Sequence, residues 1–433
     1  MKDEPTKSAQ GKNLDQRLAR FPEMYERMQR ITDQLEESIA QGMTADEAEE
    51  IAIAQINELG KAWMTDWAKA QHDRSVGQMQ KEVPKAIKNV KKKLKWFTTF
   101  GWIEIDEQVL RVGRRGGELR PFCFKARIEH RSYSRAMQRA LTDFGAEESF
   151  ERAAARVKEH YRLEVPISAV RKVTYHHAAR IQNMEPAKPA KAVQRLITEM
   201  DGSMIPLVHP GKREDARKGK TVCWSEVRLC CARADGQATR LYGATLGTLE
   251  SARSSWYQTA QRAGLGEKTF VHGIGDGAPW IVETFADNFG SQGEYLIDFY
   301  HVAEYLAAAA PKIAGEKKAS LWLRKQKGRL LMGQVGKILR SLEPHQESDC
   351  AAEKPVRTAY RYIQHRGDHL HYPKARKAGL PVGSGEVESA HRHVIQQRMK
   401  IAGAWWREKN AQRMLGLRIA RANHCWERYW ACN

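Results

Sequence analysis

Cysteine is scarce in this chain, and its spacing indicates neither crosslinks nor a zinc site. Seven cysteines occur among 433 residues. The number is odd and no C-x-x-C pair is present, so neither a disulfide framework nor a zinc finger is indicated. The polar start, Met1-Lys2-Asp3-Glu4, does not begin a signal peptide, and no apolar run reaches transmembrane length. We therefore expect a cytoplasmic protein with reduced thiols.

Acidic residues are also in deficit, and no glycine-rich phosphate-binding loop is found. Lys and Arg number 72 against 52 Asp and Glu, which gives a net charge of +20. The missing loop argues against a nucleotide cofactor. Hydrophobic residues at 42% and charged residues at 29% are typical of a globular protein. A basic excess of this size favours a polyanionic partner, with nucleic acid the first choice.

The first 190 residues predict mainly helices with one β-hairpin. The pattern is helical from Leu14 to about Lys95, and the lysine-rich run 85–95 is interpreted as a solvated helix face. Segments 102–105 and 109–112 alternate apolar with polar residues and are separated by residues 106–108, which predicts a hairpin turning there. We assign residues 1–125 to this helical region with a β-hairpin.

Residues 126–190 resemble a helix-turn-helix region. An amphipathic helix is predicted over 150–161, a turn over 163–166 and a basic helix over 169–182. The basic helix carries Arg171, Lys172 and Arg180, which are candidates for DNA contact. An ordinary helical hairpin is the alternative interpretation. Residues 187–190 are a predicted linker to the rest of the chain.

Beyond the linker the pattern becomes mixed α/β. Strands are predicted over 196–208, 221–232, 239–246, 268–275 and 295–299, with helices after the third, fourth and fifth strands. This order is that of a ribonuclease H-like core. Residues 191–310 form its first part, residues 311–380 a helical insertion, and residues 381–433 its C-terminal helices. The predicted fold class is therefore multidomain α+β.

Three short acidic segments are the candidates for chemistry: Asp201-Gly202, Asp276-Gly277 and Glu386-Val387-Glu388. Either Asp-Gly pair alone favours a simple turn. Asp276, however, follows an apolar strand and precedes a helix, where functional groups of α/β sheets collect. Glu386 and Glu388 diverge by roughly 200° on a helix, so only one can face a shared site and the other is expected to be a solvated first-turn acid. Converging carboxylates can hold two divalent metal ions that act on a phosphodiester.

Several longer motifs resemble bacterial insertion-sequence transposases of the Kra type, which belong with the Mutator-like DDE transposases. The resemblance rests on Gly-Asp-Gly-Ala-Pro-Trp-Ile (275–281), Asp-Phe-Tyr-His (298–301) and Gly-Leu-Pro-Val-Gly-Ser-Gly-Glu-Val-Glu-Ser (379–389), supported by Gln-Arg-Met-Lys (397–400), Gly-Ala-Trp-Trp (403–406) and Trp-Glu-Arg-Tyr-Trp (426–430). It is dense from about residue 195 to 430 and loose before that. Ala404-Trp405-Trp406 departs from the family's usual small residue, Arg and Trp.

The resemblance implies that Asp201, Asp276 and Glu388 are the catalytic, metal-binding acids. Two Mg²⁺ ions, replaceable by Mn²⁺, are the implied cofactors. The implied activity is hydrolysis at the ends of an insertion sequence followed by joining of the 3′-hydroxyl to target DNA. Terminal inverted repeats and target DNA are the implied partners, and the chain is expected to work as a homodimer or higher oligomer near the nucleoid. A nuclease without strand transfer, or a DNA-binding protein, are the alternatives.

Further residues are candidates for DNA binding or for support of the site. Asp298 and His301 match the family's Asp-x-x-His element, and either a structural pair or a DNA contact fits them. Arg392 lies on the face of Glu388 and either holds a phosphate or pairs with that acid. Weaker candidates are Arg398 and Lys400. The aromatic candidates for stacking on an unpaired base are Trp280, Trp405 and Trp406, with core packing as the alternative for each.

Overall fold

The computed structural model describes residues 14–113, 116–130, 132–184, 189–209, 211 and 219–432. Over this part of the chain the protein is mixed α+β, with one sheet of three strands and one of five. Two compact units are present: Met1–Gly145 with Phe150–Thr174, and Ala146–Ser149 with Tyr175–Asn433. Of the predicted linker 187–190, the first two residues lie outside the described part.

The N-terminal unit contains helices and a long β-hairpin. Its elements, with α5 and α7 given in full, are α1 (Leu14–Leu18), α2 (Pro22–Ala40), α3 (Ala45–Glu82), β1 (Ala86–Thr98), β2 (Gly101–Val112), β3 (Glu118–Leu119), α4 (Pro121–Lys125), α5 (Arg135–Glu147), α6 (Phe150–Tyr161) and α7 (Ile167–Gln182). The helix α3 begins with a capping box, because Thr44 and Glu47 satisfy each other's backbone N–H groups.

The prediction of a helix up to Lys95 was wrong for the lysine-rich run 85–95. Most of it lies in β1, where Leu94 is buried while Lys93 and Lys95 are exposed and pair with Glu104 of β2 at 3.1 and 3.0 Å. Lysine has a good helix propensity, but pairing with β2 and burial of the second half of β1, from Leu94 onward, override it.

The predicted position of the hairpin turn was also wrong. β2 runs without a break through residues 106–108, and the turn lies at residues 99–100. The side chain of Glu107, expected in a turn, is fully buried and forms an ion pair with Arg120 at 2.9 Å. In the sequence, a charged residue inside a strand resembles a turn residue, because the ion pair that neutralises it forms only when the chain folds.

The C-terminal unit is built on the five-stranded sheet. Its strands are β4 (Arg195–His209), β5 (Thr221–Ala234), β6 (Leu241–Thr245), β7 (Phe270–Gly275) and β8 (Gly293–Ile297). The spatial order is β6-β5-β4-β7-β8, with the first two pairs antiparallel and the last two parallel. β4 passes unbroken through Asp201-Gly202, so this pair is not a turn.

Helices follow the strands in the predicted order. They are α8 (Leu249–Arg262), α9 (Pro279–Phe289) and α10 (Phe299–Ala314), after β6, β7 and β8. The apolar core of this unit includes the fully buried Trp256 of α8, which packs against Phe285 and Phe289. Its indole N–H donates to Thr198 Oγ1 of β4 at 2.5 Å, so the one polar atom of this large side chain is satisfied.

The remaining helices were predicted in outline. Region 311–380 is helical, with α11 (Glu316–Leu331), α12 (Val335–Leu342), α13 (Pro355–His365) and α14 (Tyr372–Lys377). A helix then begins at α15 (Gly385–Ala390), continues through a π-helical stretch (His391–Gln396) and ends with α16 (Gln397–Met399). The chain then forms α17 (Glu408–Ala422) and α18 (Trp426–Cys432).

Candidate functional site

Asp201, Asp276 and Asp298 lie at one level on three neighbouring parallel strands. Glu199 of β4 pairs with Ile274 of β7, so the same register places Asp201 beside Asp276. The pairing of β7 with β8 likewise leads from Asp276 to Asp298, whose N–H donates to Gly275 O at 2.8 Å. Adjacent strands are about 4.8 Å apart. Three carboxylates thus follow one another across the sheet, with Asp201 inside β4 and Asp276 and Asp298 directly after the last residues of β7 and β8.

Asp201 lies on β4, the central strand of the sheet, and is partly exposed. Its side chain retains 31% of its accessible surface, and Oδ1 accepts from the Gly202 N–H at 2.7 Å. Oδ2 lies 3.1 Å from Nε2 of His391, a side chain with 6% exposure. This approach is out of line for a hydrogen bond, and neither ring nitrogen of His391 has a hydrogen-bond partner within the described residues. Asp201 therefore faces both solvent and a buried imidazole.

Asp276 is held in place by hydrogen bonds to its side chain, to its own carbonyl and to the carbonyl of Gly277. Its Oδ1 accepts from Ala278 N–H at 2.8 Å, which turns the chain into α9. Its carbonyl accepts from the Tyr362 hydroxyl at 2.5 Å, and Arg366 Nε donates to the Gly277 carbonyl at 2.9 Å. Burial raises the pKa of Tyr362 well above its ordinary value, so this hydroxyl remains a donor. Tyr362 of α13 and Arg366, directly after that helix, thus position the segment that carries Asp276.

Gly277 is required at its position. Its φ is +76°, and a Cβ there would lie 2.8 Å from Ile297 Cδ1. A larger residue would combine backbone strain with a clash. The Asp276-Gly277 pair therefore forms the tight connection between β7 and α9.

The two glutamates of α15 have different surroundings. Glu386 accepts from Arg233 Nε at 2.8 Å and pairs with Arg240 Nε at 3.1 Å, and 18% of its side chain is exposed. The expectation of a solvated first-turn acid was therefore wrong for Glu386, because arginines of β5 and of the loop after it neutralise it. Partial burial raises the pKa of Glu388, and the negative charges of Asp298 and Asp201 raise it further. Glu388 is the more exposed of the two glutamates and the one in electrostatic reach of Asp298 and Asp201.

Asp298 lies inside the protein, 2% exposed. Its Oδ1 accepts from the N–H groups of Tyr300 and His301, at 2.5 and 3.1 Å, and so caps α10. Its Oδ2 accepts from both the N–H and the Oγ of Ser384 at 2.5 Å. These contacts join the end of β8 to the segment before α15. Of the two roles predicted for Asp298, this geometry supports the structural one.

His301 differs from Asp298 because it reaches the surface. A third of its side chain is exposed, and Nδ1 lies 3.7 Å from Glu304. Its ring packs edge-on against Tyr305 and Tyr362. His301 also lies close enough to Glu388 to oppose the rise in the pKa of that acid. It therefore borders the acidic cluster.

The candidate aromatics divide between surface and interior. Trp405 is 55% exposed, whereas Trp406 is 4% exposed and its indole N–H donates to Met399 O at 2.9 Å. Trp280 is partly buried, with the guanidinium of Arg228 over its ring at 5.1 Å. Trp405 is the one whose ring is open to a ligand.

The candidate basic residues divide in the same way. Arg392 and Lys400 are exposed. Arg398 is only 2% exposed and lies over the Trp406 ring at 4.9 Å, which favours support over surface contact. On α7, Arg171 and Lys172 are exposed and Arg180 is partly buried. Their DNA-reading role stays a prediction.

Glu199 is a residue that sequence reasoning missed. It is 1% exposed, and Oε2 accepts from the Val387 N–H of α15 at 2.8 Å. Burial raises the pKa of Glu199 to about 8. Its Oε1 is also buried and has no hydrogen-bond partner in the described part of the chain. The available signal was its place two residues before Asp201, hence on the same strand face.

The carboxylates are near one another without forming a closed metal cage. Over the ranges that the structure describes, no three His, Cys, Asp or Glu side chains stand close enough to hold a metal ion. A search of the same ranges for a helix with the length and apolarity to span a bilayer finds none.

The fold and the site define a mixed α+β protein with an acidic cluster at the carboxyl edge of its larger sheet. The chain belongs to the uncharacterised protein family UPF0236, whose profile matches residues 122–429. No curated protein matches the sequence significantly. Among solved structures it is similar to the Drosophila P element transposase strand transfer complex, with 9% identity over 72% of this chain and 83% of that chain and a TM-score of 0.27.

Proposed function

We propose that this protein is a DDE transposase with a ribonuclease H-like catalytic core. The observation that carries the proposal is the register that aligns Asp201, inside β4, with Asp276, directly after β7, together with the electrostatic proximity of Glu388 to Asp201. The strand order supports the core assignment, since three antiparallel strands precede two parallel ones and the first strand of the five is central. The sequence motifs that contain Asp276 and Glu388 support it independently.

The three acids suit divalent cations. Asp201 and Asp276 are half-buried and Glu388 is exposed. The charges of Asp298 and Asp201 disfavour the anionic form of Glu388. A cation relieves such crowding of like charges. Mg²⁺ prefers carboxylate oxygens, and when bound it activates the attacking hydroxyl and stabilises the leaving oxygen. Because the acids do not form a closed cage as they stand, the side chain of Glu388 would have to turn toward the two aspartates.

The chain's own residues would orient the DNA around these acids. With a net charge of +20, the protein attracts the phosphate backbone over long range. Arg392 lies one turn after Glu388 and is exposed, so it is suited to hold a phosphate next to the reacting bond. Trp405 offers an exposed ring for stacking on an unpaired base. Lys400 adds an exposed positive charge nearby in sequence.

The test is DNA cleavage by the full chain. The substrate is a labelled duplex containing the DNA that flanks the gene, incubated with Mg²⁺, with Mn²⁺ or with a chelator. We expect metal-dependent nicks at a defined position. Asp201→Asn, Asp276→Asn and Glu388→Gln should each abolish the nicks while leaving the affinity for DNA within a few-fold of the wild type. Cleavage that persists in all three variants would exclude this active site.

A matched control tests whether the loss of any carboxylate, or only of one in the site, abolishes cleavage. Glu283 is an exposed carboxylate on α9, so Glu283→Gln removes the same charge outside the site and should keep full cleavage. Glu386→Gln tests the choice between the two glutamates of α15. It should lower thermal stability, because Arg233 and Arg240 lose their partner, yet leave cleavage measurable. A dead Glu386→Gln protein beside an active Glu388→Gln protein would reverse the assignment.

A second assay distinguishes the proposed function from its two rivals. A duplex with a pre-cut 3′-hydroxyl end is incubated with supercoiled plasmid, and joined products are measured. A transposase produces joined molecules, whereas a nuclease nicks without joining. A DNA-binding protein does neither and still shifts the labelled duplex in a gel.

A further inference from the structure

The first turn of α15 is held by acids of the sheet instead of by its own cap. Ser384 occupies the N-cap position but makes no side-chain capping bond. Its N–H and hydroxyl are both used by Asp298. The first backbone bond of the helix runs from the Glu388 N–H to the Ser384 carbonyl at 3.2 Å. The N–H groups before it, including that of Val387, therefore need acceptors from elsewhere.

Glu199 supplies the acceptor for Val387. Its Oε2 receives the Val387 N–H at 2.8 Å across 188 residues of sequence. The neighbouring Glu386 is held by Arg233, which lies on the adjacent strand β5. Two consecutive residues of the first turn are thus attached to two neighbouring strands.

This attachment bears directly on Glu388, the next residue. The negative charges of Asp298, Asp201 and Glu304 lie near Glu388 and act against its charged form. Repulsion between like charges disfavours the approach of Glu388 to Asp298 and Asp201. The hydrogen bond from Val387 to Glu199 holds the backbone against that repulsion at the adjacent residue.

We propose that Glu199 is a positioning residue, which accepts the Val387 N–H in order to hold Glu388 in reach of Asp201 and Asp276. This inference rests on the proposed function, because it assigns Glu199 a part in the same site. Glu199 touches no reacting atom in this scheme. It acts through the backbone of α15.

The test compares two substitutions of similar shape. Glu199→Gln keeps an oxygen that accepts from Val387, whereas Glu199→Met has none. We expect Glu199→Gln to cleave DNA within about threefold of the wild type. Glu199→Met should lower kcat by about 10²-fold, the effect of displacing a catalytic group by about 1 Å. KM for DNA should change less than kcat in either variant, because the positive charge that attracts the phosphate backbone is retained.

A control variant removes a merely structural explanation. Thr198 is the neighbouring residue on β4 and is fully buried, with Oγ1 donating to the Cys231 carbonyl at 2.7 Å and accepting from Trp256. Thr198→Val should lower the melting temperature while the folded protein keeps its kcat. If Thr198→Val lowers kcat as much as Glu199→Met does, the loss reflects general destabilisation and the inference is wrong.

Hydrogen exchange provides a readout that is independent of activity. In the full chain, exchange at the Val387 amide should accelerate in Glu199→Met and stay near the wild-type rate in Glu199→Gln. Unchanged exchange in Glu199→Met would overturn the inference even if the wild type cleaves DNA. An inactive wild type would contradict the proposed function instead, while the exchange data still decide whether Glu199 holds this helix. Equal loss of kcat in both variants would also overturn the inference, because Glu199→Gln keeps the acceptor for Val387.

Discussion

Asp298 provides the sharpest stability prediction, because one buried carboxylate serves two segments. Oδ1 caps α10, and Oδ2 receives two hydrogen bonds from Ser384. Loss of a helix cap costs about 1 kcal/mol. Leaving the donors of Ser384, which is 6% exposed, without an acceptor costs about 1–3 kcal/mol more. Asp298→Ala should therefore lower the free energy of unfolding by about 3 kcal/mol.

The assay is thermal unfolding of the full chain. For a domain of about 250 residues, 3 kcal/mol corresponds to a fall of about 6–12 °C in melting temperature. Asp298→Asn should fall in between, because it keeps Oδ1 as the cap but replaces Oδ2 with an amide donor that faces the donors of Ser384.

The matched control is Asp287→Ala. The Asp287 side chain is 57% exposed and lies 3.4 Å from Arg253, so its loss should change stability by no more than about 0.5 kcal/mol. If Asp298→Ala melts no lower than Asp287→Ala, the view that Asp298 joins β8 to the segment before α15 is refuted.

Three further predictions concern DNA binding and pH. With about six or more phosphate contacts, affinity for DNA should fall ~10³-fold between about 50 and 200 mM salt; a flat titration would contradict this. If α7 reads sequence, Arg171→Ala should cost about 1–3 kcal/mol on terminal DNA and little on scrambled DNA, whereas an equal loss on both would indicate phosphate contact only. Burial lowers the pKa of His272 below its ordinary 6.5, so the unfolded chain binds a proton where the folded chain does not, and stability should fall as the pH drops below about 6.5. His272→Gln, which keeps a donor for the Pro381 carbonyl, should reduce that fall between about pH 7.5 and 5.5, and equal pH slopes would exclude His272 as its source.

The order of elements from β4 to α10 was confirmed, since each was predictable from local patterns. Alternation and short apolar runs indicate strands, and an apolar stripe at helical spacing indicates a helix. The place of Asp276 between β7 and α9 follows from the same patterns, because the apolar strand ends at Gly275 and Pro279 opens the next helix. The catalytic roles of Asp201, Asp276 and Glu388 stay predictions.

The predictions from sequence were wrong where a tertiary partner, and not the local pattern, decides the conformation. The lysine-rich run forms β1 because β2 lies next to it. Glu107 is buried in a strand because Arg120 neutralises it. Glu386 is an ion-paired residue because Arg233 precedes it by 153 residues and yet lies beside it. Arg120 follows Glu107 by 13 residues and Arg233 precedes Glu386 by 153, and in each case only folding brings the two side chains together.

By itself, the sequence determined the composition, the strong basic charge, the sequence of strands and helices in the C-terminal unit and the residues able to act as ligands or bases. These properties are local, because propensity, periodicity and turn chemistry act over a few residues. Only the tertiary structure decided which carboxylates share a level of the sheet, which of the two glutamates in α15 is neutralised by arginine, and that Glu199 and Asp298 hold the start of that helix. Those outcomes depend on strand register and on hydrogen bonds across 86 to 188 residues, which exist only once the chain has folded.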